Sequence, residues 1–117
     1  MPINFLIIQS IRKYGEFYND SLKLEFPKGS GKMINLVQVA EELTRRVISL
    51  FEKDNGGNRR LYGDYSWFYQ QPGNEHLIQF FEYFHGDTGR GLGASHQTGW
   101  TALVAELISE YGTNGDN

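Results

Sequence analysis

The chain has 117 residues, a formal net charge of −3, a sequence pI near 5.5 and no cysteine. Its length suits one domain. Without a basic surplus there is no counterion release to drive binding to nucleic acid, which is excluded as the main partner. The lack of Cys excludes a disulfide framework and thiolate chemistry; it fits a reducing compartment, so a cytoplasmic location is expected. Hydrophobic residues make up 39% and aromatics 15%, so the core must lean on Phe and Tyr. The opening run Pro2-Ile3-Asn4-Phe5-Leu6-Ile7-Ile8 lacks a basic start and soon meets Gln9, Arg12 and Lys13. Neither a signal peptide nor a membrane span is expected from it.

Residues 2–14 read as a helix, with Pro2 in the first turn and Ile3, Leu6, Ile7 and Ile11 at helical spacing. Gly15 is expected to stop it. Leu22 to Phe26 alternates with period two and predicts a short strand before Pro27, followed by a turn over Lys28-Gly29-Ser30-Gly31-Lys32. The clearest helix starts at Asn35, with Gln38 as its capping-box partner. Its predicted apolar face is Leu36, Ala40, Leu43, Val47, Leu50 and Phe51. Glu41 with Arg45 and Glu42 with Arg46 form i,i+4 pairs, each adding roughly 0.2–0.5 kcal/mol. Asp54 to Asn58 ends this helix.

Residues 58–74 read as a long loop whose aromatics, Tyr62, Tyr65, Trp67, Phe68 and Tyr69, must pack on something. A third helix is expected from about 75 to 84. A fourth is expected from Thr98, with Trp100, Leu103, Val104, Leu107, Ile108 and Tyr111 as its apolar face and Gly112 as its end. Thr113 to Asn117 should fray. The predicted class is mostly α, about four helices with long loops and one short strand pair.

Most motif-like stretches fail on context. Gly29-Ser30-Gly31-Lys32 has Phe26 where a P-loop needs its first Gly and Met33 where it needs Ser or Thr, so it reads as a turn. Gly89-Arg90-Gly91-Leu92-Gly93 has GxGxG spacing after an expected helix, and reads as a loop that needs positive φ angles. Ser95 has Gln97 where a nucleophile elbow needs Gly, and no strand leads in. His76, His85 and His96 lack i,i+4 pairing and a carboxylate at ligand spacing, so no metal or other cofactor is expected. Glu82 differs, because it sits among Phe80, Phe81, Tyr83 and Phe84 at an expected helix end. From the residues alone it is either a solvated acid or a buried charge with a partner or purpose.

The blocks Phe81-Glu82-Tyr83-Phe84, Asp87-Thr88-Gly89, Gly91-Leu92-Gly93-Ala94 and His96-Gln97-Thr98-Gly99-Trp100-Thr101 resemble the C-terminal signature of glycoside hydrolase family 63. That family holds the mannosyl-oligosaccharide glucosidases and bacterial, mannosylglycerate hydrolase-like relatives. Upstream, Pro2-Ile3-Asn4, Tyr18-Asn19-Asp20-Ser21, Pro27 to Gly31 and Val39-Ala40-Glu41-Glu42-Leu43 resemble bacterial members more loosely, so the likeness covers nearly the whole chain. The resemblance implies that residues 1–117 are the C-terminal helices of an (α/α)6 barrel, and that the activity is hydrolysis of α-glycosides with inversion. It implies Glu82 as the general base and Gln97, Trp100 and His96 as substrate-binding residues for an oligosaccharide or small glycoside. Inversion needs a second carboxyl group roughly 6.5–9.5 Å away. The family's acid is an upstream Asp, and Asp20, Asp64 and Asp87 do not take its place. The chain alone is therefore expected to be inactive and to need an N-terminal barrel region or partner chain. The alternative expectation is a non-catalytic helical module for carbohydrate or protein binding.

Overall fold

The computed structural model describes residues 1–115. About half of these residues are helical, and two small antiparallel strand pairs complete the secondary structure. Helix α1 (Pro2–Tyr18) starts with Pro2 in its first turn, where a missing N–H costs nothing. It leads through a 3-10 turn, Asn19–Ser21, into the hairpin of β1 (Lys23–Glu25) and β2 (Met33–Asn35). Their register pairs Lys23 with Asn35, Leu24 with Ile34 and Glu25 with Met33. In the turn, backbone N–H groups of Gly29 and Gly31 bond the Glu25 carboxylate and hold its pKa below the ordinary value. The tempting Gly29–Lys32 stretch is thus a hairpin turn.

Helix α2 (Leu36–Ile48) follows at once. The Asn35 side chain accepts the Gln38 N–H at 3.0 Å, and Gln38 returns an oxygen to the Asn35 N–H at 3.1 Å. This is the predicted capping box, and such a cap contributes about 1 kcal/mol. Its buried positions are Val39, Ala40, Thr44 and Ile48, while Leu43, Val47 and Leu50 pack partly buried against the core. The stripe is broader than predicted because α1 and the last helix both pack on α2. Glu42 binds both arginines, Arg45 at 2.8 Å and Arg46 at 3.1 Å, so the expected Glu41–Arg45 bridge is replaced by an i,i+3 pair.

The Asp54 carboxylate then closes a turn by accepting the N–H groups of Gly56 and Asn58. The aromatic stretch forms a 3-10 segment, Arg60–Tyr65, and one helical turn, α3 (Ser66–Tyr69). It packs only in part: Leu61 and Tyr62 are buried and the Tyr62 and Tyr69 rings stack at 3.8 Å, but Tyr65, Trp67 and Phe68 stay exposed, so the expected packing of all five aromatics does not form. Beyond it the chain makes β3 (Tyr83–Phe84), β4 (Gly91–Leu92), the turn α4 (Thr98–Thr101) and helix α5 (Val104–Gly115). The core gathers Ile8, Ala40, Ile48, Phe51, Leu61, Tyr62, Val104 and Leu107 from five parts of the chain. Polar ties flank it: Glu110 of α5 accepts hydrogen bonds from Gln9 and an ion pair from Arg12 of α1 at 2.6 Å.

Several boundaries differ from expectation. Gly15 does not stop α1; it is buried inside the helix, and a Cβ there would lie 2.7 Å from the Val37 nitrogen. The helix ends at Asn19, whose φ of 47° breaks the α geometry. No helix forms over 75–84, which holds a turn, an extended stretch and β3. Phe and Tyr favour the pleated conformation, and partners from 91–97 satisfy the backbone there. The fourth predicted helix breaks at Ala102–Leu103 and runs past Gly112 to Gly115, so Thr113 to Gly115 are helical; Asp116 and Asn117 lie outside the described residues.

The molecule is extended. Its radius of gyration is 15.8 Å, against about 13 Å for a compact domain of this length. One side of α1 carries Ile3, Leu6, Ile7, Tyr14 and Phe17 in the open, with Phe17 78% exposed.

Candidate functional site

The site is built where the chain doubles back around the glycine-rich loop. β3 and β4 pair Tyr83 with Leu92 and Phe84 with Gly91. The returning strand must pass close to the Phe81 ring, because a Cβ on Gly91 would sit 2.1 Å from it. Past the hairpin the two segments stay joined. The Glu82 N–H donates to the Ala94 carbonyl at 2.9 Å, and the Gln97 N–H donates to the Phe80 carbonyl at 2.6 Å. The buried Thr101 hydroxyl donates to the Phe81 carbonyl and ties α4 to the same segment. Behind it, Phe51 packs against the Phe80 and Phe84 rings.

Glu82 therefore stands on an extended segment just before β3, not at a helix end. It is half-buried. Its Oε2 accepts the Ala94 N–H at 3.2 Å. Among the described residues Oε1 has no hydrogen-bond partner. The carboxylate is thus oriented by one bond and keeps one oxygen open. Gly93 makes room for it: φ is 73°, and an added Cβ would lie 2.6 Å from Oε2 and 3.0 Å from the Glu82 Cβ. Both the left-handed backbone and the space favour glycine there. Gly93→Ala is expected to cost about 1–2 kcal/mol in thermal or urea unfolding of this chain, while also displacing the Glu82 carboxylate. An unchanged unfolding midpoint would show that the loop relaxes freely.

The companions named from the sequence are close along the backbone. His96 lies beside Phe80, with ring centroids 5.7 Å apart. Gln97 precedes the first residue of α4, and its side chain is exposed. Trp100 is 49% exposed, so it is not a core residue of the last helix. The structure thus gathers Glu82, His96 and Gln97 along one paired stretch, with Trp100 one helical turn further on. None of them lines the 420 Å³ cleft beside α3 or the 390 Å³ cleft at the turn of the second hairpin.

The other acids are accounted for differently. Asp64 pairs with Arg90 at 3.0 Å, and Asp20 accepts from the Asn35 amide at 2.9 Å. Asp87 sits in the turn between β3 and β4, where His85 Nδ1 accepts the N–H groups of Asp87 and Thr88. Among the described residues no group of His, Asp and Glu could hold a metal ion, and Ser95 and His76 are exposed. Sequence reasoning missed that Gly93 shapes the seat of Glu82. It also missed the polar cleft beside α3, for which the seven-residue spacing of Tyr62 and Tyr69 was the available signal.

No family model matches the chain, and no solved structure matches it. It is 51% identical over 113 residues to the uncharacterized protein YMR196W of Saccharomyces cerevisiae. The aligned region is 95% of this chain and 10% of the yeast protein, so the chain spans about a tenth of the length of the curated relative it matches. A yeast relative does not fit the bacterial setting suggested by the upstream matches.

Proposed function

We propose that this chain is the base-bearing C-terminal part of an inverting α-glycosidase, with its helices belonging to an (α/α)6 barrel and an oligosaccharide or small glycoside as substrate. The observation that carries this reading is the seat of Glu82. One carboxylate oxygen is fixed by the Ala94 N–H, and the other has no protein partner among the described residues. A general base needs this division, a fixed orientation and a lone pair left for the attacking water. Further along the paired stretch, the Gln97 amide would bridge sugar hydroxyls, the exposed Trp100 ring would stack on a pyranose face, and His96 would assist. The general acid would come from outside this chain, since Asp64 and Asp20 are engaged elsewhere.

The surface supports a missing neighbour. Accessible area is 7744 Å², against about 6,500 Å² expected for a monomer of this mass. The excess of about 1,200 Å² exceeds the roughly 800 Å² that one partner buries in a standard interface. Large exposed apolar faces such as that of α1 mark interaction surfaces. Packed helices of a barrel would cover them.

The test is the anomer produced. A longer chain carrying this segment, given an aryl α-glucoside and followed by proton NMR before mutarotation, is expected to release the β-sugar, while the isolated 117-residue chain turns over none. Release of the α-sugar, or robust turnover by the isolated chain, would overturn the proposal.

A further inference from the structure

The cleft beside α3 is lined by none of Glu82, His96, Gln97 and Trp100 and needs its own account. Its volume is about 420 Å³, within the roughly 300–1,000 Å³ of small-ligand sites. The Asp54–Asn58 turn forms one wall, α3 contributes Ser66 and Tyr69, and Gln70 and Glu75 continue the lining beyond it. Gly56 and Gly57 contribute to the wall through their backbone.

The polar groups here are held in place. Gln70 Nε2 donates to Asn58 Oδ1 at 2.5 Å and to the Gly56 carbonyl at 3.4 Å. This fixes the two amides against each other and leaves Gln70 Oε1 as an acceptor and Asn58 Nδ2 as a donor. Arg59 is anchored through Nε on the Phe51 carbonyl at 2.7 Å. Lys53 forms no ion pair among the described residues, and the Glu75 carboxylate has only a 3.9 Å approach to His76. Tyr62 and Tyr69, stacked within 9° of parallel, give the cleft a rigid aromatic component.

The mixture selects the ligand class. An inorganic anion would be opposed by Glu75, and a cation by Lys53 and Arg59. An apolar ligand would strip water from several polar groups without replacing their hydrogen bonds. A polyhydroxylated ring fits all of them, since each hydroxyl both donates and accepts. We infer that the cleft between the Asp54–Asn58 turn and α3 binds a neutral hexopyranose ring, as a sugar site separate from Glu82. The inference does not depend on the catalytic reading.

The experiment is a titration of the isotope-labelled chain with maltose, followed by amide NMR shifts, with inorganic phosphate as the control. Saturable shifts are expected at Gly56, Gly57, Asn58 and Gln70, with a Kd on the order of millimolar. Gln70→Ala and Lys53→Ala alter surface side chains, and each is expected to weaken binding about tenfold while core shifts stay unchanged. The inference is overturned if maltose gives no saturation, if phosphate saturates these shifts and maltose does not, if the shifts centre on Glu82 and Gln97, or if neither variant weakens binding. Loss or retention of turnover on changing Glu82 would leave these shifts where they are, so the two readings fail separately.

Discussion

Exchanging Glu82 for Gln in a longer chain that carries this segment is expected to lower kcat by about 10²–10⁴-fold with little change in KM. The substitution is nearly isosteric. A Gln carbonyl oxygen can still accept the Ala94 N–H that now reaches Oε2 at 3.2 Å, so the loop keeps its anchor. What disappears is an oxygen able to take a proton from water. Substrate affinity, measured by calorimetry on the variant, should survive because Gln97 and Trp100 are untouched. Steady-state kinetics decide the matter: an unchanged kcat removes Glu82 from the chemistry, and a rise in KM alone assigns it to binding. Gly93→Ala in the same longer chain should move in the same direction, because a displacement of about 1 Å at a reacting group can cost around 10²-fold.

The second large effect concerns stability and sets two rules against each other. Replacing glycine with alanine inside a helix ordinarily stabilises by about 1 kcal/mol. At Gly15 of α1 the added methyl would lie 2.7 Å from the Val37 nitrogen and 2.8 Å from its Cγ2. The first neighbour is backbone and yields little, so overpacking of about 1–3 kcal/mol opposes the helical gain and should exceed it. Gly15→Ala is expected to destabilise by up to about 2 kcal/mol, which for a chain of this size lowers Tm by several degrees. Gly112 of α5 is the matched control. It too lies inside a helix, and nothing stands within 4 Å of its virtual Cβ. Gly112→Ala should raise Tm by a few degrees. If both variants shift Tm upward, the close approach of α1 to the start of α2 is not a constraint on the fold.

The contrast between these two glycines shows what a sequence carries. Both sit at the end of an apolar helical pattern, and the pattern predicts a helix stop at both. One is a helix-crossing point and the other an exposed helical position, and only the neighbouring chain distinguishes them. Local signals fared better. The Asn35–Gln38 box, Pro2 in the first turn and the period-two stretch before Pro27 depend on residues within a few positions of each other, and the structure forms each of them. The expected helix over 75–84 failed because backbone groups of residues 80–84 are satisfied by residues seven to seventeen positions downstream, at Gly91, Leu92, Ala94 and Gln97.

For the candidate site, the sequence by itself determined only which residues are candidates, His96, Gln97 and Trp100 through the family resemblance. It named the acid among aromatic rings, the glycine-rich return, the residues His96, Gln97 and Trp100 after it, and the lack of cysteine or a metal-ligand pattern. Tertiary structure alone decided how they stand. It put Glu82 on an extended segment, fixed one carboxylate oxygen on Ala94, left the other open, and placed Gly93 where a methyl group would collide with it. It also brought Asn58 and Gln70 together across the α3 cleft and left one side of α1 bare. Composition and spacing record which groups are available within a turn or two. Hydrogen bonds between distant segments, and the space left between them, arise only when the chain folds back on itself.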